Sequence, residues 1–195
     1  DFVNWITSDD PSTRSSRGAG EYKQDFYYYT TNKLRIPVNK ENVLKSGIVK
    51  PEDADKIVDY IDITLPAAID KARIVMLDIL ANNDWKRPIY FTGGSMDSAE
   101  YLWMKDYLQL DGLVYKLVPI KTPIDKNNPY DMGRIDSELM YNIVKRWTWG
   151  NMGKEGIYLD PETRKNSIIF RGNLARLTEQ LIAEGKTAKA SEIID

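Results

Sequence analysis

One stretch, from Ile74 to Pro119, limits the folds open to this chain more than any other. It reads as helix (Ile74 to Asn83), strand (Arg87 to Thr92), a glycine-rich turn at Gly93-Gly94-Ser95, helix (Asp97 to Leu108) and strand (Leu113 to Pro119). An apolar strand that feeds a helix and then a second apolar strand is the pattern of a parallel sheet covered by helices. Ile89, Tyr90 and Phe91 are continuously apolar, as in a strand buried on both faces. Asp97 and Glu100 have the spacing of a capping box at a helix start. The expected class is α/β, with a central, mostly parallel βαβαβ sheet wrapped by helices.

The flanking segments fit around that unit. Residues 8 to 24 are polar and rich in Gly and Ser, which predicts an irregular loop. Leu34, Ile36 and Val38 alternate with polar neighbours and predict a half-exposed strand, near an edge because of Pro37. Lys40 to Ser46 predicts a short helix stopped by Gly47, and Pro51 opens another. Ile61, Ile63 and Leu65 alternate as a strand. Pro66 to Asn83 predicts the longest helix of the chain, with an apolar arc wide enough for cover on more than one side. Residues 121 to 134 are polar with two prolines and predict a loop. Asp136 to Trp147 predicts an amphipathic helix. From Arg164 onward the pattern is helical, with Asn173 to Gly185 and Lys186 to Asp195 paired through a glycine. Residues 1–163 are therefore expected to form an α/β domain, with 1–24 irregular. Residues 164–195 are expected to form a helical hairpin, the first unit of a truncated tetratricopeptide-like repeat. Apolar Phe2, Val3 and Trp5 at the start and Ile193-Ile194 at the close predict a piece of a longer protein.

Composition removes several chemistries. The chain has no Cys and no His, so zinc and copper sites lack their usual ligands and no nucleophile–histidine triad can be built. A net charge of -2 with scattered cations offers no field for nucleic acid. No run approaches the roughly 20 apolar residues that a membrane helix needs. No cofactor and no metal site are expected, and no catalytic residue is assigned.

Four features carry candidate chemistry. The strand–Gly93-Gly94-Ser95–helix turn, with Asp97 behind it, lets backbone amides approach a ligand; the simpler reading is a tight turn needing positive φ. Asp78, within an apolar helix, reads as a general acid or base with a raised pKa or, more simply, as an ion-pair partner of Arg73, Lys86 or Arg87. Trp147 and Trp149, with Tyr27-Tyr28-Tyr29, read as an aromatic platform for a sugar ring or as core. Asp125, Asp131 and Asp136 flank a loop with Asn127 and Asn128 but lack the spacing of a calcium loop.

Five phrases, in order, carry a family likeness. They are Leu77-Asp78-Ile79-Leu80, Asn83-Asp84-Trp85-Lys86-Arg87-Pro88-Ile89-Tyr90-Phe91, Tyr107-Leu108-Gln109-Leu110-Asp111-Gly112-Leu113, Leu117-Val118-Pro119 and Gly156-Ile157-Tyr158-Leu159-Asp160. From about Lys33 onward the chain resembles the soluble C-terminal region of large multi-pass membrane proteins common in Bacteroidetes, which carry the domain of unknown function numbered 2723. The resemblance implies a membrane part similar to a protein O-mannosyltransferase, a soluble part on the periplasmic side, and helical repeats after it. The superfamily's catalytic carboxylate sits in a loop between membrane helices, so none is carried over here. The implied role is a non-catalytic binding domain that presents acceptor protein or glycan to the membrane-embedded remainder of its own chain. Two alternatives stand beside it: a carbohydrate-active enzyme using Asp78 or Glu100 with a second carboxylate, and a structural connector to a protein-interaction repeat.

Overall fold

An Asp-Gly step decides the topology. In the computed structural model, which describes residues 4, 8, 10–28, 31–65, 69, 71–92, 102–122 and 132–194, β6 (Leu108–Asp111) and β7 (Val114–Leu117) form a hairpin. Only Gly112 and Leu113 lie between them. Gly112 has φ +70°, as the first loop position of a mirror-image hairpin turn requires. A Cβ there would also sit 2.9 Å from Ile143 Cγ2, so the turn is both left-handed and tightly covered.

The parallel βαβαβ sheet expected from the sequence is therefore replaced. Leu108, expected to end a helix, begins a strand, and Leu102–Tyr107 before it is a 3-10 helix. A two-residue connection can join only antiparallel strands, because a parallel return needs a crossover of a dozen residues or more. β5 (Tyr90–Thr92) then pairs antiparallel with β7, giving the order β5-β7-β6. The one parallel contact among the described residues is a bridge between Gln109 and Arg134 on the free edge of β6. There Arg134 donates its amide to the Leu108 carbonyl, and Leu110 donates to the Arg134 carbonyl. Gly133 allows that approach, since a Cβ would lie 3.0 Å from the Leu108 oxygen.

The described residues form two further ladders. β3 (Lys33–Pro37) pairs antiparallel with β4 (Tyr60–Thr64), with Ile61 and Ile63 turned inward. β1 (Arg14–Arg17) pairs antiparallel with β2 (Gln24–Tyr27), where the composition of residues 8 to 24 pointed to a loop. Backbone pairing needs no apolar side chains, so a polar hairpin leaves little trace in hydropathy.

The helices match the periodicity more closely. α1 (Lys40–Lys45) is capped by Asn39. α2 (Lys71–Asn83) buries Leu77 and Leu80 but leaves Val75 and Ile79 more than half exposed, so it is covered on one side rather than several. α3 (Ser137–Val144) is capped by Asp136. α4 (Pro161–Ala183) is one continuous helix capped by Asp160, longer than the Asn173 start expected, and α5 (Thr187–Ile194) folds back on it. The main core gathers Val43, Ile61, Met104, Leu108 and Val118. A second core joins Leu110, Met140 and Val144 to Leu177, Leu181 and Ala190 of the hairpin. Tyr115 packs against both.

Candidate functional site

Cross-strand partners share a face, so the register of β6 and β7 sorts their side chains. Leu108, Leu110, Tyr115 and Leu117 turn toward the cores. Gln109, Asp111 and Lys116 form the other face. A polar face normally meets water. Here all three side chains are buried, with Lys116 only 5% exposed.

What covers them is itself charged. Lys116 lies 3.2 Å from an Asp111 oxygen, and the Gln109 amide donates to the other Asp111 oxygen at 2.8 Å. Asp53, from the 3-10 helix Pro51–Lys56, is held by Arg134 at 2.8 Å and by Lys56 at 2.6 Å. Asp136 pairs with Lys50 at 2.9 Å while capping α3. Burial alone would raise the Asp53 carboxyl; hydrogen bonds from Lys56 and Arg134, with their charges, outweigh it and hold that carboxyl at about 2. The Asp136 hydrogen bond pushes the Lys50 ammonium up. Between these groups lies a cleft of about 260 Å³. Three cations (Lys50, Lys116, Arg134) and three carboxylates (Asp53, Asp136, Glu138) line it, so their formal charges cancel.

Buried charges cost several kcal/mol each unless paired, and pairing explains why so many can gather here. It also restricts the chemistry. A general acid needs a carboxyl held protonated near neutral pH, and the cleft drives Asp53 the opposite way. Among the described residues no group of three or more carboxylates is placed to hold a metal ion.

The residues singled out from sequence are distributed differently. Gly93, Gly94, Ser95 and Asp97 lie outside the described residues, as do Glu100, Asp125, Asn127, Asn128 and Asp131. Asp78 is exposed on α2 and accepts from the Asn82 amide at 3.0 Å, a surface contact rather than a buried ion pair. Trp147 and Trp149 come together, with centroids 5.6 Å apart and planes at 83°. Phe170 of α4 closes the group at 5.5 Å and 5.6 Å. Edge-to-face packing turns these rings toward one another, and Trp149 keeps 41% of its surface exposed. Tyr28 follows β2, where its hydroxyl meets Ser15 Oγ at 3.0 Å.

Sequence reasoning passed over Gln109, Lys116, Arg134 and Asp53. A signal was present: Leu108-Gln109-Leu110-Asp111 alternates strictly, and the Asp-Gly after it marks a hairpin. Reading Leu108 as the end of a helix hid that alternation.

Strand pairing, the docked hairpin and a buried polar cleft define a mixed α/β module with a charge-balanced pocket. The chain belongs to the family of TMEM260-associated domain 2, whose model matches residues 1–139, and that domain comes from membrane protein families. α4 and α5 lie outside the matched stretch. No curated protein matches the chain, and no solved structure does. Among the described residues no helix is long and apolar enough to cross a membrane.

Proposed function

We propose that this chain is a non-catalytic binding domain of a membrane glycosyltransferase-like protein of the O-mannosyltransferase-like kind. It lies on the extracytoplasmic, periplasmic face of a bacterial membrane and holds acceptor protein or glycan beside the membrane-embedded remainder of its own chain. The observation that carries this reading is membership of a domain family drawn from membrane proteins. The direction of the cleft's electrostatics supports binding over catalysis: its carboxylates are locked by cations, whereas a glycosidase pair needs one carboxyl free to give up a proton.

Two measurements test it. A reporter enzyme active only outside the cytoplasm is inserted into the exposed turn at residues 151–158 of the full-length protein. Activity is the expected result; a silent reporter with normal protein levels overturns the location. Glycan arrays and peptide pulldowns then probe the chain itself, and silence in both at ~1 mM ligand, a level that detects even weak sites, overturns the binding role.

A second reading, a structural connector to a helical repeat, has one observation behind it. The α4–α5 hairpin exposes Ile182 and Ile194, the latter at 71%. A following helical unit would cover such positions.

A further inference from the structure

The cleft on the polar face of β6 and β7 has features that its neighbours' ion pairs do not explain. The cleft opens to solvent along Lys50, Glu138 and Leu139, each more than a third exposed. Here about 260 Å³ stays open beside four buried polar side chains: Asp53 (4% exposed), Gln109 (3%), Lys116 (5%) and Asp136 (9%). That is room for roughly nine waters at about 30 Å³ each, or for one six-membered ring with its hydroxyls.

The lining also selects by charge. An anion would gain from Lys50, Lys116 and Arg134 but face Asp53, Asp136 and Glu138 in the same space. A cation meets the reverse. A neutral polyhydroxyl ligand meets both signs usefully, since each hydroxyl donates to a carboxylate and accepts from an ammonium or guanidinium. The pairs Asp53–Arg134, Asp136–Lys50 and Lys116–Asp111 fix these groups before a ligand arrives. Lys56 and Arg134 each engage one Asp53 oxygen and Gln109 donates to Asp111, so sugar hydroxyls meet the remaining lone pairs of Asp53, the Gln109 carbonyl oxygen and the other Arg134 N–H groups. Ile48 and Leu139 add an apolar strip to the same lining, suited to the C–H face of a ring.

We propose that this cleft is a binding site for a single neutral pyranose residue, recognised through its vicinal hydroxyls by Gln109, Arg134, Asp53 and Asp136. The assignment rests on the reading of the domain as a holder of glycan or protein acceptor, and gives that reading a location. Because the walls carry balanced charge, neutral sugars bind and uronic or amino sugars do not.

The test uses the full chain and a panel of methyl glycosides of neutral hexoses, with methyl glucuronide and glucosamine as charged controls. Binding is followed by saturation-transfer NMR and calorimetry. Two variants address the cleft. Leu139→Trp, on a helix position already 37% exposed, adds bulk to the lining without replacing a charged residue. Gln109→Met removes the amide at similar volume. Trp149→Ala addresses the aromatic group instead, and circular dichroism confirms that each variant folds. The expected result is weak binding of at least one neutral glycoside, lost about tenfold or more in Leu139→Trp and unchanged in Trp149→Ala. Binding that survives both cleft variants, or that prefers a charged sugar, overturns the site. So does no binding of any glycoside at ~10 mM, a concentration above the weakest useful affinities. If in either case peptide or glycan-array binding persists, the cleft assignment falls while the binding-domain reading stands. Silence in every assay removes both.

Discussion

Asp84 and Trp85 hold φ at 46° and 58°. Two consecutive non-glycine residues in the left-handed region store on the order of 1 kcal/mol each. The surroundings compensate. Asn42 Nδ2 donates to the Asp84 carboxylate at 2.8 Å and to its carbonyl at 2.9 Å. Trp85 is buried and its indole N–H donates to the Pro37 carbonyl at 2.9 Å. This turn therefore ties the end of α2 to β3 and to α1. Trp85→Phe keeps most of the burial and loses the donor, leaving a carbonyl short of a partner. It is expected to cost about 1 kcal/mol, read as a lower urea midpoint with an unchanged slope; an unchanged midpoint means the bond contributes nothing. Glycines make opposite predictions according to place. Gly112→Ala must push Ile143 aside and hold a positive φ, so it destabilises by about 1–2 kcal/mol. Gly172 sits inside α4, and a Cβ added there would meet nothing within 4 Å, so Gly172→Ala stabilises by about 0.5–1 kcal/mol. Thermal unfolding of the two variants should move in opposite directions.

At the scale of elements, the hairpin is held to α3 by charge as well as by apolar contact. Glu138 pairs with Lys186 at 2.8 Å and also with Lys189. Glu184 meets Lys186 at 2.6 Å and accepts from Ser137. Glu192 meets Lys145 at 3.1 Å and accepts from Tyr141. The Lys186 and Lys189 hydrogen bonds lower the Glu138 carboxyl. Burial would raise Glu184, but bonds from Lys186, Ser137 and Gln180 outweigh it and hold it at about 2, against an ordinary 4.5. The Tyr141 and Lys145 bonds lower Glu192. A depressed carboxyl gives stability that is complete above its ordinary value and is lost as pH falls toward its folded value. Docking of α4 and α5 on α3 is thus expected to weaken between about pH 4.5 and 2; the separate cluster of Asp53 with Lys56 and Arg134 loses stability with the same sign from 3.8 down to about 2. The Lys186 ammonium is raised by Glu138 and Glu184, so its contribution holds below its ordinary 10.5 and fades as pH rises past the folded value. Fluorescence of Trp147 and Trp149, which pack on Phe170 of α4, reports the acid change. A flat signal from pH 5 to 2 would contradict it.

Across the whole molecule, two cores meet at the three-stranded sheet. Leu110 faces the hairpin core while Leu108, two residues earlier, belongs to the main one. Leu177 and Leu181 are wholly buried, so the hairpin is part of the fold's interior. Leu181→Ala is expected to cost about 2–5 kcal/mol by lost burial and cavity formation. Hydrogen exchange should then show α4, α5 and α3 opening together, with β3 and β4 keeping their protection. Uniform loss across both cores would show that the two act as one cooperative unit.

Residue order alone was enough for the helices with a clear boundary or period, namely α1, α3 and α5, and for the alternating strands β3 and β4. In each case local pattern and tertiary burial agree, because the buried face is written at 3.6- or 2-residue spacing. It also contained the β6–β7 hairpin, in the alternation of Leu108 and Leu110 and the Asp-Gly turn, but short apolar runs are ambiguous between helix and strand until a partner is found. Strand direction, the pairing of a polar β1 with β2, and the meeting of Asp53, Gln109, Lys116 and Arg134 were decided only in three dimensions. Those residues come from four separate segments, and the feature that joins them, compensation of buried charge, has no spacing along a chain. A carboxylate at position 53 and a guanidinium at 134 become one element of structure only when the backbone between them has folded.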